Sequence, residues 1–183
     1  MDAWVWIILL VLIIAVVAAV LYARAQKNRT EHLRERFGPE YERTVAASDG
    51  KREAEAELQE RAQRRERLDI VPLEPEARAR YETSWRDLQA QFVDEPSEAV
   101  SGADALIQTV MKERGYPMES FEQREADISV DHPEVTQDYR AAHGISLAND
   151  HGEASTEDLR QAMVHYRSLF GTLLAPEADA RAP

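Results

Sequence analysis

The chain has 183 residues, a formal net charge of −12 and no cysteine. Its length leaves room for one soluble domain of ordinary size beside a membrane segment and a connector. The absence of cysteine excludes disulfides, thiolate metal sites and cysteine nucleophiles. Residues 68–183 hold 10 Lys and Arg against 23 Asp and Glu. This part would repel nucleic acid, so no nucleic-acid partner is expected.

Residues 3–23 form one apolar run without charge, proline or glycine. A helix rises about 1.5 Å per residue, so this run would be about 31 Å long, close to the hydrocarbon thickness of a bilayer. Only a helix satisfies its own backbone hydrogen bonds in lipid. The run therefore predicts a transmembrane anchor with the lipid bilayer as its partner.

The residues on either side of the run indicate its orientation. Aromatic rings with a polar tip favour the headgroup region, and positive residues stay on the cytoplasmic side during insertion. Arg outnumbers Lys 19 to 3, which is typical of a GC-rich bacterial genome. We therefore expect a single-pass protein of the bacterial cytoplasmic (inner) membrane, with the N-terminus outside and the C-terminal domain cytoplasmic. The predicted membrane-interface residues are Trp4, Trp6, Tyr22, Arg24, Lys27 and Arg29.

A cleaved secretory signal is the alternative interpretation of the same run. Ala23-Arg24-Ala25 matches a small-x-small cleavage pattern. A signal peptide, however, has a positive n-region and an apolar core of about 7–15 residues. Here Asp2 precedes a longer run, which favours an uncleaved anchor.

Residues 24–67 are predicted to form a charged helical connector. The membrane helix is predicted to continue to about Arg36 and to break at Phe37-Gly38-Pro39, because glycine suits a helix end and proline a helix start. Helices over 39–48 and 51–67 follow. The last one has only a narrow apolar stripe, formed by Ala54, Leu58 and Ala62.

Three interpretations of that last connector helix are open. A solvated helix supported by Glu–Arg pairs along one face is favoured, because the stripe lacks the repeated apolar residues of a coiled coil. A stalk or coiled-coil contact is the second. Binding of anionic headgroups by the arginines between 61 and 67 is the third. Residues 68–75 are predicted to be an extended, proline-containing linker whose apolar residues tuck against the next domain.

Residues 76–174 predict an acidic helical domain. Apolar residues recur there at steps of three and four, for example Tyr81, Trp85, Leu88 and Phe92. Ser97 is predicted to cap the second helix, Pro133 to begin a helix that ends near Gly144, and Ser155-x-x-Asp158 to form a capping box. The fold class is all-α: an N-terminal transmembrane helix, a kinked connector and a small domain of about five helices. Residues 175–183 are predicted to be a disordered tail.

Several strings resemble an uncharacterised bacterial family of small single-span membrane proteins. The resemblance covers most of residues 33–174 and implies a membrane-anchored protein with a helical soluble region. It implies no activity, cofactor or catalytic residue. The strings are LRERFGPEYERTV (33–45), FVDEP (92–96), VMKERGYP (110–117), FEQREADISVDHPEV (121–135) and STEDLRQAMVHYRSLF (155–170).

No motif in the sequence specifies a reaction. The histidines His132, His143 and His165 lack metal-ligand spacing, and acidic pairs fall at helix ends, where carboxylates cap. Aromatics such as Trp85 at helical spacing are more often core than ligand groove. We therefore predict no enzyme activity and no catalytic, cofactor-binding or metal-binding residues.

The preserved strings suggest one interaction face instead. It comprises Glu122, Arg124, Asp127, Tyr139, Arg140 and His143. The function expected is a membrane-anchored adaptor or scaffold that holds an unidentified protein partner. One alternative is a small-ligand binder or enzyme with a pocket in the distal helices. The other is a homo-oligomeric structural membrane protein, associating through small residues such as Ala15, Ala18 and Ala19.

Overall fold

The computed structural model describes residues 3–175, apart from the side chains of Ala3, Val5 and Ile8. Within this range the chain is all-α, as predicted, with eight helices and no strand. The predicted tail over 175–183 lies outside these residues, except for Ala175. The helices are α1 (Ala3–Phe37), α2 (Pro39–Ala47), α3 (Lys51–Arg65), α4 (Pro75–Gln91), α5 (Pro96–Arg114), α6 (Phe121–Asp131), α7 (Pro133–Asp150) and α8 (Thr156–Leu174).

Helix α1 continues without a break from the apolar run into the charged segment. The side chains described between Trp4 and Tyr22 are exposed, and an 18-residue window of the helix has a mean hydropathy of 2.3 with none of it buried. Apolar residues exposed in this way have no protein neighbour to cover them. By length and composition, α1 is therefore able to cross a membrane.

The connector bends where the sequence predicts. Helix α1 ends at Phe37, Gly38 adopts a positive φ of 47°, and Pro39 occupies the first position of α2. Proline suits this position because a first-turn N–H has no helical partner and the ring presets φ. The kinked connector is thus a consequence of local chain chemistry.

The chain divides into two compact units, and the division lies inside α3, between Leu58 and Gln59. We call residues 3–58 the membrane-proximal unit and residues 59–175 the distal unit. Buried side chains of the membrane-proximal unit include Leu33, Phe37 and Tyr41. The predicted weak stripe of α3 is also fully buried at Ala54 and Leu58.

The distal unit has one continuous apolar core. Helices α5, α7 and α8 pack on one another, α4 packs on α5, and α6 packs on α7. Trp85 stacks on Phe170 with ring centroids 4.9 Å apart, and Tyr81 and Phe92 pack against the same core. The aromatics at helical spacing are therefore core residues, as the periodicity favoured.

Two predicted helix boundaries are wrong. Helix α5 begins at Pro96 rather than after a Ser97 cap, and the Ser97 hydroxyl instead donates to the side-chain oxygen of Asn149 at 2.7 Å. Helix α7 runs past Gly144 to Asp150. Gly144 keeps a negative φ there, since Ile145 and Ser146 continue the face that packs into the domain.

The predicted linker is fixed to the distal unit. Leu73 lies in the core, and the Val71 amide donates to the Arg114 carbonyl at 2.9 Å. The Arg114 guanidinium donates back to the Val71 carbonyl and also to that of Leu173, at 3.3 and 3.1 Å. Gly115 ends α5 with a φ of 97°, close to the Asp69 carbonyl. The linker therefore forms part of the folded domain, as its apolar residues predicted.

Candidate functional site

A buried carboxylate lies in the membrane-proximal unit. Glu55 is 2% exposed and accepts hydrogen bonds from the hydroxyls of Thr30 at 2.7 Å and Tyr41 at 2.9 Å. The ammonium of Lys51 lies 3.6 Å away. These bonds join α1, α2 and α3, so one polar group connects the three helices of the unit. Sequence reasoning missed Glu55, although its place beside the Ala54–Leu58 stripe was a signal.

The hydrogen bonds keep Glu55 ionised. Burial alone would raise the pKa of this carboxyl, but the donors Thr30 and Tyr41 and the charge of Lys51 outweigh it, and the pKa lies below its ordinary value of 4.5. The same contact raises the pKa of Tyr41, for which burial is the largest cause. An ionised group that is removed from water must keep its partners, so the crossing of α1 and α3 at this point is specific.

Two cavities flank this crossing. The larger measures about 510 Å³ and lies between α1 and the start of α3. The smaller measures about 180 Å³ and is lined by Arg29, Arg52 and Glu55, among others. Both share Tyr22 and Gln26 as lining residues. The principal lining residues of the larger cavity are Tyr22, Gln26, Lys27, Thr30, Arg34 and Lys51.

The predicted membrane-interface residues all lie exposed on α1. Trp4 and Trp6 lie near one end of the apolar run and Tyr22 at the other. Lys27 faces the larger cavity and forms an ion pair of 3.7 Å with Glu31. Arg29 faces the smaller cavity. Two of the predicted cations are thus brought to cavities that the sequence did not reveal.

The residues of the predicted interaction face do not share one surface. Asp127 and Tyr139 are fully buried and Arg124 nearly so, whereas Glu122 is exposed and Arg140 and His143 are half-buried. The three buried residues are therefore interior groups. Arg124 donates to the Tyr139 hydroxyl at 3.0 Å, which ties α6 to α7.

The end of α3 is attached to α6 within the distal unit. Arg64 contacts Asp127 at 3.3 Å, Arg61 donates to the Ser129 hydroxyl at 3.4 Å, and Arg65 pairs with Asp131. The Tyr116 hydroxyl also donates to Asp131. The favoured interpretation expected Glu–Arg pairs along one face of a solvated helix, whereas these three arginines also contact partners more than 60 residues along the chain. Because Arg61, Arg64 and Arg65 already contact side chains of α6, these three arginines are not available to bind lipid headgroups.

A second polar cluster lies between α5, α7 and α8. Asp104 accepts hydrogen bonds from the Tyr166 hydroxyl at 2.6 Å and from Gln108. His143 stacks on Phe121 with ring centroids 3.7 Å apart, and its buried Nδ1 has no hydrogen bond and lies 3.9 Å from Asp104 Oδ1.

The Asp104 carboxyl stays ionised in this cluster although it is largely buried. Burial would raise its pKa, but the neighbouring His143, Tyr166 and Gln108 outweigh burial, and the net shift is downward. Such a cluster orients side chains within a helical core. In the part of the chain that the structure describes, no group of three or more His, Asp or Glu side chains is arranged to hold a metal ion.

Comparison with family models, with curated proteins and with solved structures finds no match to this chain. The function must therefore be inferred from the residues and their geometry.

Proposed function

We propose that this protein is a membrane-anchored interaction module of the bacterial inner membrane. Helix α1 crosses the bilayer with its N-terminus outside, and the distal unit holds a protein partner on the cytoplasmic side. The observation that carries the proposal is the continuity of α1, which leads from exposed apolar residues directly into a folded polar unit. Side chains such as Leu12 and Ile14 are stable in this exposed state only when lipid covers them.

The charge of the distal unit indicates the kind of partner. Residues 59–175 hold 23 Asp and Glu against 13 Lys and Arg, an excess of 10 acidic side chains. Complementary charge raises association rates and excludes partners of the same sign. A protein with a basic surface is therefore the partner that this domain suits. The adaptor function requires no catalytic residue and no cofactor.

The topology is tested with fusions at Pro183 in cells. A fluorescent protein fused there should be bright and alkaline phosphatase fused there should be inactive, because phosphatase folds only outside the cytoplasm. An active phosphatase fusion with the chain still in the membrane would reverse the orientation. A shortened chain released after Ala25 would instead identify residues 3–23 as a cleaved signal.

Partner binding is tested by charge reversal at an exposed residue of the predicted face. Glu122→Lys changes a first-turn carboxylate of α6, and Glu76→Lys makes the same change in the first turn of α4. Both residues are exposed, and each variant places a positive charge at a helix N-terminus. The two variants should therefore lose a similar amount of helix stability. Proximity labelling from the full chain should lose its specific partners with Glu122→Lys only. Identical partner sets in wild type and both variants would contradict this face.

A further inference from the structure

The larger cavity of the membrane-proximal unit lies at the depth of the lipid headgroups. Tyr22 and Ala23, the last residues of the apolar run, form part of its wall. Lys27 follows Ala23 by four residues, or about 6 Å of helix. Thr30, where α3 crosses, follows it by about 10 Å. Headgroups occupy about 5–7 Å beyond the hydrocarbon on each side. The cavity therefore begins at the edge of the hydrocarbon, passes through the headgroup layer and continues beyond it to Arg34, about 16 Å along the helix from Ala23.

The lining of the cavity changes character along this direction. At the end of the apolar run it consists of Tyr22 and Ala23, and further along it carries the cations Lys27, Arg34 and Lys51 with one carboxylate, Glu31. An apolar wall followed by cationic groups matches the order of acyl chain and phosphate in a phospholipid. Its volume also lies in the range of small-molecule sites, about 300–1,000 Å³.

The three cations are able to exchange their present partners. Lys27 pairs with Glu31 at 3.7 Å and Arg34 with Glu42 at 3.2 Å, and more than half of each of these side chains is exposed. Exposed ion pairs of this kind contribute little stability. Lys51 pairs with the buried Glu55 and is itself half exposed. A phosphate that enters the cavity would gain Lys27 and Arg34 at small cost to the fold, and would gain Lys51 while that residue stays beside Glu55.

We propose that this cavity binds the headgroup of an anionic phospholipid, with its phosphate held by Lys27, Arg34 and Lys51. The inference rests on the proposed insertion of α1 into a membrane. The Thr30–Glu55–Tyr41 hydrogen bonds position the site, since they fix the point at which α3 brings Lys51 against α1. The lipid would thus stabilise the folded connector as well as the anchor.

The test uses the full chain in nanodiscs of phosphatidylcholine with one fifth phosphatidylglycerol. Native mass spectrometry then counts the lipids retained after the disc is stripped. Wild type should retain phosphatidylglycerol well above its share in the disc. Arg34→Gln/Lys51→Gln should reduce that enrichment about tenfold, because it removes two of the three cations that would hold the phosphate.

Two control variants separate a specific site from general surface charge. Arg36→Gln/Arg67→Gln removes the same charge from residues that line neither cavity, and it should keep the enrichment. Arg34→Lys/Lys51→Arg preserves the charges and should also keep it, which would assign the loss to the missing charges rather than to the shape of these side chains. Equal loss in the Arg36→Gln/Arg67→Gln variant would overturn the site in favour of general surface charge.

The remaining outcomes separate this inference from the proposed function. A chain that stays in the disc without phosphatidylglycerol enrichment would overturn the lipid site and leave the anchor intact. A chain that fails to stay in the disc would overturn the anchor and the lipid site together. Displacement of the lipid by millimolar inorganic phosphate would identify a site for free anions instead of a lipid.

Discussion

The two units use their apolar residues in opposite ways. In the membrane-proximal unit the large apolar side chains of the run, such as Leu12 and Ile14, point outward along α1, and a buried carboxylate connects the helices that follow. In the distal unit the large apolar side chains of five helices point inward and form a continuous core. The first unit therefore leaves its apolar run uncovered by protein and joins its helices through a few polar contacts, whereas the second packs its helices around an apolar core.

Because of this difference, we expect the membrane insertion of α1 and the stability of the distal unit to be independent of each other. A change that prevents α1 from entering lipid removes the protein from the membrane without altering the distal core. A change in the distal core leaves the apolar face of α1 as it is. The membrane-proximal unit has fewer buried apolar side chains than the distal unit, so we expect its polar groups to carry more of its stability.

The largest expected effect is the loss of membrane retention in Ile13→Arg. Ile13 is in the middle of the apolar run and exposed. A charge at a helix centre in lipid costs about 2.5–3.5 kcal/mol on insertion scales. We expect alkaline extraction to release a larger share of this variant than of wild type from membranes, and Ile13→Leu to behave as wild type. The thermal unfolding of the distal unit should be the same in both variants, and a shift in it would contradict the independence of the units.

The next largest effect is expected at Gly115, which ends α5 and lies against the backbone of the linker. An alanine Cβ there would lie 2.4 Å from the Asp69 carbonyl oxygen, and the backbone φ of 97° disfavours any side chain. Gly115→Ala should lower the free energy of unfolding of the distal unit by about 3 kcal/mol.

Gly144 gives the matched control. It lies inside α7 with open space around its Cα. Gly144→Ala should raise the free energy of unfolding by up to about 1 kcal/mol, because alanine is the better helix former. Urea unfolding followed by circular dichroism measures both variants. A Gly115→Ala protein as stable as wild type would show that the linker is not held against the end of α5.

Much of the fold could be predicted because its signals are local. The end of α1 before Pro39, the end of α5 at Gly115 and the Ser155–Asp158 capping box each depend on a few adjacent residues. The Ser97 cap was wrong because Pro96, a favourable first-turn residue, begins the helix one position earlier, and the end at Gly144 was wrong because tertiary packing overrode the local preference. At Gly144, packing of the following residues into the domain continued the helix.

The candidate site could not be predicted because its partners are distant in sequence. Thr30 lies 25 residues and Tyr41 14 residues from Glu55. Arg64 meets Asp127 across 63 residues. A charged helix such as α3 gives the same sequence pattern whether its arginines face water or buried carboxylates. The Ala54–Leu58 stripe marks the face of α3 that is buried, but only the fold decides which partners come within reach of Glu55 and of the arginines.

A smaller effect is expected at Glu55, and it should be confined to the membrane-proximal unit. A glutamine side chain at this position carries no charge and satisfies fewer of the donors that now converge on the carboxylate, so Glu55→Gln should destabilise the unit by roughly 1–3 kcal/mol. The loss of stability is measured by hydrogen exchange of the α3 amides from Ala54 to Leu58, which should be faster in Glu55→Gln than in wild type. Glu53→Gln on the exposed side of α3 should leave these rates unchanged. Equal protection in Glu55→Gln would contradict the role of the carboxylate.

The Glu55 contribution should also depend on pH. Because its folded pKa lies below 4.5, the unfolded state takes up a proton first as the pH falls. The stabilisation is therefore fully present above pH 4.5 and is lost as the pH falls through the folded pKa. The protection factors of these amides, which correct for the pH dependence of intrinsic exchange, should fall in that range in wild type and should lack this step in Glu55→Gln.

The smallest effect is expected in the distal unit, at higher pH. Burial lowers the pKa of His132 below 6.5, and the carboxylates of Asp131 and Glu134 offset only part of that shift. Below about pH 6.5 the unfolded chain binds a proton that the folded imidazole does not, so the distal unit should lose stability as the pH falls from about 7.5 to about 5.5. His132→Asn removes the titrating group and should reduce this loss, whereas His151→Asn in the exposed loop should not. If the two variants have the same pH dependence, the burial of His132 is not what couples the stability of the distal unit to pH.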